Sequence, residues 1–534
     1  MPKNYEIRFD QFFELPNNGL RSYFGNVVKG QSKVYDTPFA KGETTEALLQ
    51  GWMKQLESIG DRWPTLLDFE KDLASKVGPM SVMKPLKERM TDIDHYYDDI
   101  LLSSEPIFGS AINAVVSEWK GAGAVGLHLR SQSETVKLMK KSTNSGSPYF
   151  IKRRNAISQT MPVLGVHVHG DVPYQYLNNG YDNWLACAIL GWRGQEGGYS
   201  KDDVKQRVVW MFPFAVNIKE LQLYQPLIET AQKFDLVPAW TSMESVDKAV
   251  TQLFDTKGSD DLVVCTDFSK FDQHFNGSLQ TAAKSILQQI FTSRQDSDWF
   301  KNVFDIKYMI PLAYNWDKIR YGRHGMASGS GGTNADETLA HRALQYEAAQ
   351  RSKARLNPNS QCLGDDGILS YPGITVEDVI ASYTKHGLEM NESKQYASKQ
   401  DCVYLRRWHH EKYRVNGICV GVYSTCRALG RLRYLERFMD PEVWGPRTVA
   451  LRQLSIIENV KYHPMRNEFV EYCMKRDKYR LGLDIPGFLD SIEEIAREAI
   501  DQMPDFMGYT KTLQTGGKQM GISNWWIVQY LKSK

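Results

Sequence analysis

The stretch Gln361-Cys-Leu-Gly364-Asp365-Asp366-Gly367-Ile-Leu-Ser-Tyr371 sets two adjacent acids between β-forming runs, with a glycine on either side. Such a pattern predicts a tight hairpin with Asp365 and Asp366 at its tip, which commits this part of the chain to antiparallel sheet. Upstream, Asp261-Leu-Val-Val-Cys-Thr-Asp267-Phe-Ser-Lys-Phe-Asp272 reads as a buried strand that delivers one carboxylate at its end and another one turn of loop later. Each feature alone has an ordinary meaning: Asp-Gly is a common turn signal, and Asp267 could cap a helix with Asp272 on a solvated face. Together they have a chemical one. Two strands that both end in aspartate can converge to hold two divalent cations, because hard Mg²⁺ prefers carboxylate oxygens and keeps positions open for phosphates. Ions about 4 Å apart would activate an attacking hydroxyl and stabilise a leaving oxygen in phosphoryl transfer. Adjacent carboxylates repel, and a bound cation relieves that cost.

The surroundings of these acids are those of a large globular enzyme. The chain has 534 residues, 42% hydrophobic and 24% charged, which excludes disorder and a disulfide scaffold. Length at roughly 150 residues per domain allows about three or four lobes or one enzyme with subdomains. The net charge is only +2, so an acidic partner must be held by local basic patches. No apolar run is long enough to span a bilayer, and Met1–Pro16 lacks the apolar core of a signal peptide. The seven cysteines are scattered with no C-x-x-C pair, so reduced thiols are expected and a zinc ribbon is excluded. The first hundred residues read as mostly helical. Residues 103–214, rich in Gly, Ser and basic groups, read as loops and short strands. Residues 261–413 alternate strand and helix as an α/β or α+β core, and the chain from Gly417 is predominantly helical.

Between the acidic sites runs His324-Gly-Met-Ala-Ser328-Gly329-Ser330-Gly331-Gly332-Thr333-Asn334-Ala-Asp336-Glu337, which leads straight into a helix. Its small residues would let backbone approach a sugar-phosphate chain closely. No GxxxxGK[ST] occurs, so a P-loop is not supported. Gly121-Ala-Gly123-Ala-Val-Gly126 satisfies G-x-G-x-x-G. The residues before it are as helical as strand-like, and the basic KKSTNSG some twenty residues on lacks a ribose-binding acid, so a dinucleotide fold is not expected. His167 and His169 share a strand face, but without a partner motif they read as structural.

The order of acidic strand end, Gly-Ser loop with helix, and Gly-Asp-Asp hairpin resembles motifs A, B and C of viral RNA-dependent RNA polymerases. The chain looks most like picobirnavirus polymerases, with partitivirus enzymes as near relatives. The resemblance implies an α+β right hand of fingers, palm and thumb, with an antiparallel palm sheet backed by helices and extensions at both ends. The implied boundaries are an N-terminal extension bridging fingers and thumb over 1–99, fingers over 100–255 and 282–320, palm over 256–281 and 321–415, and thumb with C-terminal tail over 416–534. Asp267, Asp365 and Asp366 would hold two Mg²⁺ or Mn²⁺ ions, the last assisting. Asp272 would sense the ribose 2′-hydroxyl, helped by Ser328, Gly329 and the helix that begins with Thr333 and Asn334. An acid at Asp272, where a reverse transcriptase carries a bulky aromatic, favours ribonucleotides. Glu337 stands where relatives often have Asn or Asp.

Lys205-Gln-Arg207 is similar to motif F, whose cations hold the triphosphate by charge-assisted bonds. Thr143-Asn-Ser-Gly146-Ser147-Pro148 is similar to motif G, which guides the template. His386–Lys394 is similar to motif D, with Lys394 as general acid toward pyrophosphate, and Cys402-Val-Tyr-Leu-Arg406-Arg407 to motif E, which supports the growing 3′ end. Basic groups at Lys137, Lys140, Lys141, Lys152, Arg153 and Arg154, and at Arg427, Arg431, Arg433 and Arg437 on one expected helix, would suit the walls of an RNA channel. The implied partners are RNA template and product, ribonucleoside triphosphates and a capsid protein, with no membrane. The implied place is the virion interior and host cytoplasm. Relatives begin synthesis without a primer, and Trp525 or Trp526 could stack on an initiating nucleotide or simply anchor the last helix. The competing readings are another palm polymerase, such as a reverse transcriptase, and a non-catalytic RNA-binding, capsid-associated protein; the three mutually repelling acids speak against the second.

Overall fold

The computed structural model describes residues 9, 11–177, 184–502 and 521–534. The chain divides into two compact units. The first is built mainly from Pro85–Trp192 and Val208–Cys402, and the second from Gly30–Lys84, Arg193–Arg207 and Val403–Lys534.

The first unit centres on helices and one small sheet. The elements that position the acids are, in chain order, α1 (Gly109–Ala122), α2 (Phe214–Phe234), β1 (Val263–Thr266), α3 (Phe271–His274), α4 (Gly277–Ile290), α5 (Thr333–Arg351), β2 (Gln361–Leu363), β3 (Asp366–Leu369) and β4 (Tyr396–Ser398). The strands run in the order β4-β1-β3-β2, every neighbour antiparallel. All four residues of β1, Val-Val-Cys-Thr, are buried, as a short run without charged residues should be when both faces are covered. Helices α1, α4 and α5 pack on one another, and α5 also packs on β2. Close approach is possible because α5 buries Ala335, Ala340, Ala343, Ala348 and Ala349. Helix α4 starts where the Asn276 side chain accepts from the Ser278 N–H, satisfying one of the orphan donors of a helix end. Among the described residues no helix is long and apolar enough to cross a membrane.

Residues 103–214 differ from expectation. They hold the helices α1, Gln132–Leu138 and Arg153–Thr160 as well as strands. The two short helices are polar and bury only a few residues, Thr135 and Val136 in one and Ala156 and Thr160 in the other, so no apolar stripe announces them. The G-x-G-x-x-G stretch closes α1, with Gly123 at φ +120° just beyond its last residue. A helix leads into it, and among the described residues no strand precedes it, so the dinucleotide reading fails on topology. His167 lies on the strand Val163–His169, stacked against Tyr174 and Tyr176 with ring centroids 5.5 and 4.9 Å away, the structural role expected for it.

The second unit packs the helices Thr45–Leu56, Pro64–Ala74, Thr425–Arg433, Pro446–Glu458, Arg466–Met474 and Trp526–Lys532 around one core that includes Trp52, Trp408, Leu429, Leu454, Phe469 and Ile527. The helix bearing Arg427, Arg431 and Arg433 stops at Arg433, because Tyr434 turns extended to pair with Asp36; Arg437 therefore lies off it. Trp525 and Trp526 are half-buried against this core, and the Trp526 N–H donates to the Glu458 carboxylate at 3.1 Å, which fits the anchoring role. The part of the tail over 503–520 lies outside the described residues. All seven cysteines are buried free thiols.

Candidate active site

Strand register brings the acids together. In the β1–β3 ladder Gly367 pairs with Thr266 and Ile368 with Cys265, so Asp267, just after Thr266, and Asp366, just before Gly367, leave the same end of neighbouring strands. On the other side Asp366 pairs with Leu363, which leaves Gly364 and Asp365 as a two-residue turn. Gly364 has φ +58°, the left-handed backbone such a turn asks of its first central residue. Asp267 and Asp365 are exposed and Asp366 is half-buried.

Asp267 is held through its own backbone, and the hairpin tip through that of Gly364, by residues that motif spacing did not reveal. The Asp267 N–H donates to Gln395 Oε1 and its carbonyl accepts from Gln395 Nε2, both at 2.8 Å. The Gly364 N–H donates to Thr338 Oγ1 at 2.9 Å, and the Gly364 carbonyl accepts from Nδ1 of His341 at 2.9 Å. Burial lowers the His341 imidazole to about 4, so the ring is neutral with its proton on Nδ1. A Cβ on Gly367 would lie 2.7 Å from that ring, which is why the hairpin continues through glycine. Gln345 donates to the Gln361 carbonyl at 2.9 Å. Thr338, His341 and Gln345 recur at helical spacing on α5, a polar stripe whose period was the available clue.

Asp272 sits in the single turn α3 and not in loop, and the Gly-Ser segment reaches it directly. The Met326 N–H donates to the Asp272 carbonyl at 2.8 Å, and a Cβ on Gly325 would fall 2.4 Å from the same oxygen. The buried Glu337 carboxyl shares a hydrogen bond with the Asp272 side chain. Burial, then the negative charge of Asp272, pushes the Glu337 carboxyl well above the usual carboxylate range, which favours its protonated form. An acid at this position thus does what an amide would do: it presents a donor to Asp272. Ser328 Oγ donates to the Val208 carbonyl at 3.3 Å. Thr333 Oγ1 donates to the Ala327 carbonyl at 3.1 Å and braces the loop from within, whereas Asn334 Oδ1 accepts from Trp240 Nε1 at 2.7 Å, outside the loop. Gly329 passes so close to Trp210 that a Cβ would overlap its carbonyl, at 1.6 Å.

The remaining candidates are more dispersed. Lys394 is exposed on the short turn Glu392–Lys394, beside the Gln395 that clamps Asp267. Thr143 is exposed, whereas Gly146 and Ser147 are buried. Lys205 and Arg207 are exposed at the start of the strand Lys205–Met211, in the stretch that belongs to the second unit. There Arg406 forms a basic cluster with Arg207, Arg427 and Arg431 around Glu196; burial and then Arg427 lower the Arg406 guanidinium. Arg407 donates to the Gly421 carbonyl at 3.1 Å. Among the described residues no three His, Cys, Asp or Glu side chains close into a metal cage.

Comparison with known proteins settles the family. Residues 199–417 match the family of viral RNA-dependent RNA polymerases. Over 531 residues, 98% of either chain, the sequence is 61% identical to the potential RNA-dependent RNA polymerase of human picobirnavirus, strain Human/Thailand/Hy005102/-. The chain belongs to the viral RNA-dependent RNA polymerases of the picobirnavirus type. The crystal structure of the RNA-dependent RNA polymerase of a human picobirnavirus superposes on this RNA-dependent RNA polymerase with a TM-score of 0.93 at 60% identity, covering 99% of this chain and all of the other. An insertion-loop deletion mutant of such an enzyme gives 0.91 at 58% identity, with the same coverage. A more distant likeness, 25% over 290 residues and about half of each chain, is to the RNA-directed RNA polymerase of Cryptosporidium parvum virus 1, strain KSU-1. The right-hand polymerase fold expected from the motif order follows from these matches.

Proposed function

We propose that this RNA-dependent RNA polymerase replicates and transcribes a double-stranded RNA genome by nucleotidyl transfer at Asp267, Asp365 and Asp366, and that it starts without a primer. The observation that carries the catalytic part is the register that sends Asp267 and Asp366 out of one end of the sheet, with Asp365 in the adjoining turn. These residues fit a pair of Mg²⁺ or Mn²⁺ ions, since the register sets three hard-oxygen donors at one end of the sheet, Asp267 and Asp365 exposed and Asp366 half-buried. Bound there, the ions would lower the pKa of the attacking 3′-hydroxyl and stabilise the charge on the leaving oxygen.

The chain's own groups do the rest. Asp272, kept an acceptor by the Glu337 proton, receives the ribose 2′-hydroxyl, with Ser328 beside it in the loop. Lys205 and Arg207 grip the triphosphate, and Lys394 gives a proton to departing pyrophosphate. Thr143, as the exposed member of its segment, meets the template, and Arg406 the product strand. In this reading residues 100–255 and 282–320 are fingers, 256–281 and 321–415 palm, and 416–534 thumb and tail. Association with a capsid protein inside the virion, within the host cytoplasm, completes it.

The test is synthesis on single-stranded RNA with ribonucleotides and Mg²⁺ or Mn²⁺, with and without a primer. Template-length product in both reactions is expected. Product only with a primer would remove primer independence and leave the nucleotidyl transfer in place.

A further inference from the structure

Behind the Gly-Ser loop lies a buried polar network that the roles above do not use. Glu220, on α2, is fully buried. Its Oε1 accepts from the Gly331 N–H at 3.1 Å and from Asn217 Nδ2 at 3.0 Å, and its Oε2 is hydrogen-bonded to Ser330 Oγ. Ser330 Oγ in turn accepts from the Gly332 N–H at 3.0 Å. Asn217, also buried, donates to the Gly329 carbonyl at 3.2 Å, and its Oδ1 accepts from Arg153 Nη2 at 2.6 Å. The Arg153 backbone N–H reaches the Thr143 carbonyl at 2.9 Å, and its guanidinium lies over the Phe214 ring, 5.3 Å from the centroid.

A run of small residues has many backbone states of similar energy, so Gly329–Gly332 should not hold one shape unaided. Here three successive residues of the loop are fixed by two side chains of one helix. A Cβ on Gly331 or Gly332 would lie 3.0 Å from Leu221 or 2.4 Å from Tyr224, so the loop also lies flat on α2. A carboxyl is costly to bury without partners, and this one has its partners in the loop.

We propose that Glu220 is a positioning residue: it clamps the loop that carries Ser328 and, through Asn217 and Arg153, ties that loop to the template-side segment Thr143–Pro148. The proposal rests on the polymerase reading given above. Burial raises the Glu220 carboxyl above its ordinary range, so glutamine, its neutral isostere, should serve nearly as well. An amide oxygen keeps the bonds from Gly331 and Asn217, and the amide nitrogen can donate to Ser330 Oγ.

The test is single-nucleotide addition to a primed RNA template, measuring kcat, KM and the preference for ribo- over 2′-deoxynucleotides, in wild type, Glu220→Ala, Glu220→Gln, Asn217→Ala and Ser330→Ala. Loosening the loop should lower kcat about tenfold or more in Glu220→Ala, and by smaller factors in Asn217→Ala and Ser330→Ala. It should also narrow the sugar preference, because Ser328 moves with the loop. Glu220→Gln should stay within about threefold of wild type. Combining Glu220→Ala with Ser330→Ala should cost less than the product of the two single losses, since the Glu220–Ser330 bond is common to both. Ser330 is half-buried, so its variant reports even if Glu220→Ala folds poorly. Active wild type with unchanged variants, or slower variants that keep the full sugar preference, would overturn the proposal alone. Wild type unable to add a nucleotide would overturn the polymerase reading, and the proposal with it.

Discussion

Replacing Asp365 and Asp366 together by alanine is expected to abolish template-length synthesis, on the order of 10³-fold or more, while leaving the protein folded. The size follows from what the acids would hold: metal stabilisation of transition-state charge is worth several kcal/mol, and each 1.4 kcal/mol is about tenfold in rate. Folding should survive because Asp365 is exposed and Asp366 only half-buried, while the Gly364 backbone keeps its bonds to Thr338 and His341. Removing two adjacent negative charges also relieves repulsion, so the Tm should stay level or rise. Primer extension beside a thermal melt checks both halves. Substantial synthesis by the double variant would remove these acids from the chemistry.

The second large effect is on stability. Asp336, in the first turn of α5, is fully buried and accepts from Tyr224 Oη at 2.7 Å, Tyr308 Oη at 2.6 Å and Lys307 Nζ at 3.1 Å. Lys307 is itself fully buried, its ammonium 3.6 Å from the centre of the Phe304 ring. Burial, then the neighbouring Asp336 charge, drives both tyrosines well above their ordinary range, so each stays a donor to this carboxylate. Asp336→Ala takes the carboxylate away from a buried ammonium and two buried hydroxyls, leaving Lys307 its bond to the Phe304 carbonyl but not this counter-ion. Loss of one partner of a buried ion pair costs about 3–5 kcal/mol, and the unfolding transition of the first unit should move to markedly lower urea. Lys307→Met should be milder, because a flexible thioether can lie against Phe304 while both tyrosines keep their acceptor. An unchanged midpoint in Asp336→Ala would contradict this account of the bed beneath α5.

What the sequence made legible was local. The hairpin over 361–371 could be read because turn chemistry and flanking β-formers act within a few residues, and the acid after Val263–Thr266 because a short apolar run has a visible end. The partners that aim those acids were not legible. Gln395 reaches Asp267 across 128 residues, and Glu220 reaches Ser330 across 110, and neither carries a local mark of its target. Glu337 stood out only as an unusual residue; burial beside Asp272 gives it a use that composition does not contain. The helices at Gln132–Leu138 and Arg153–Thr160 escaped notice because they are short, polar and dependent on tertiary contacts. The end of the helix at Arg433 is likewise decided by pairing of Tyr434 with Asp36, far away in the chain.

We propose that this chain copies RNA into RNA at Asp267, Asp365 and Asp366. Sequencing the product made on two single-stranded RNA templates of different sequence, with all four ribonucleotides and a divalent cation, tests it most directly. Each product should be RNA complementary to its own template. Product of the same sequence from both templates, or product requiring deoxynucleotides, would contradict the account.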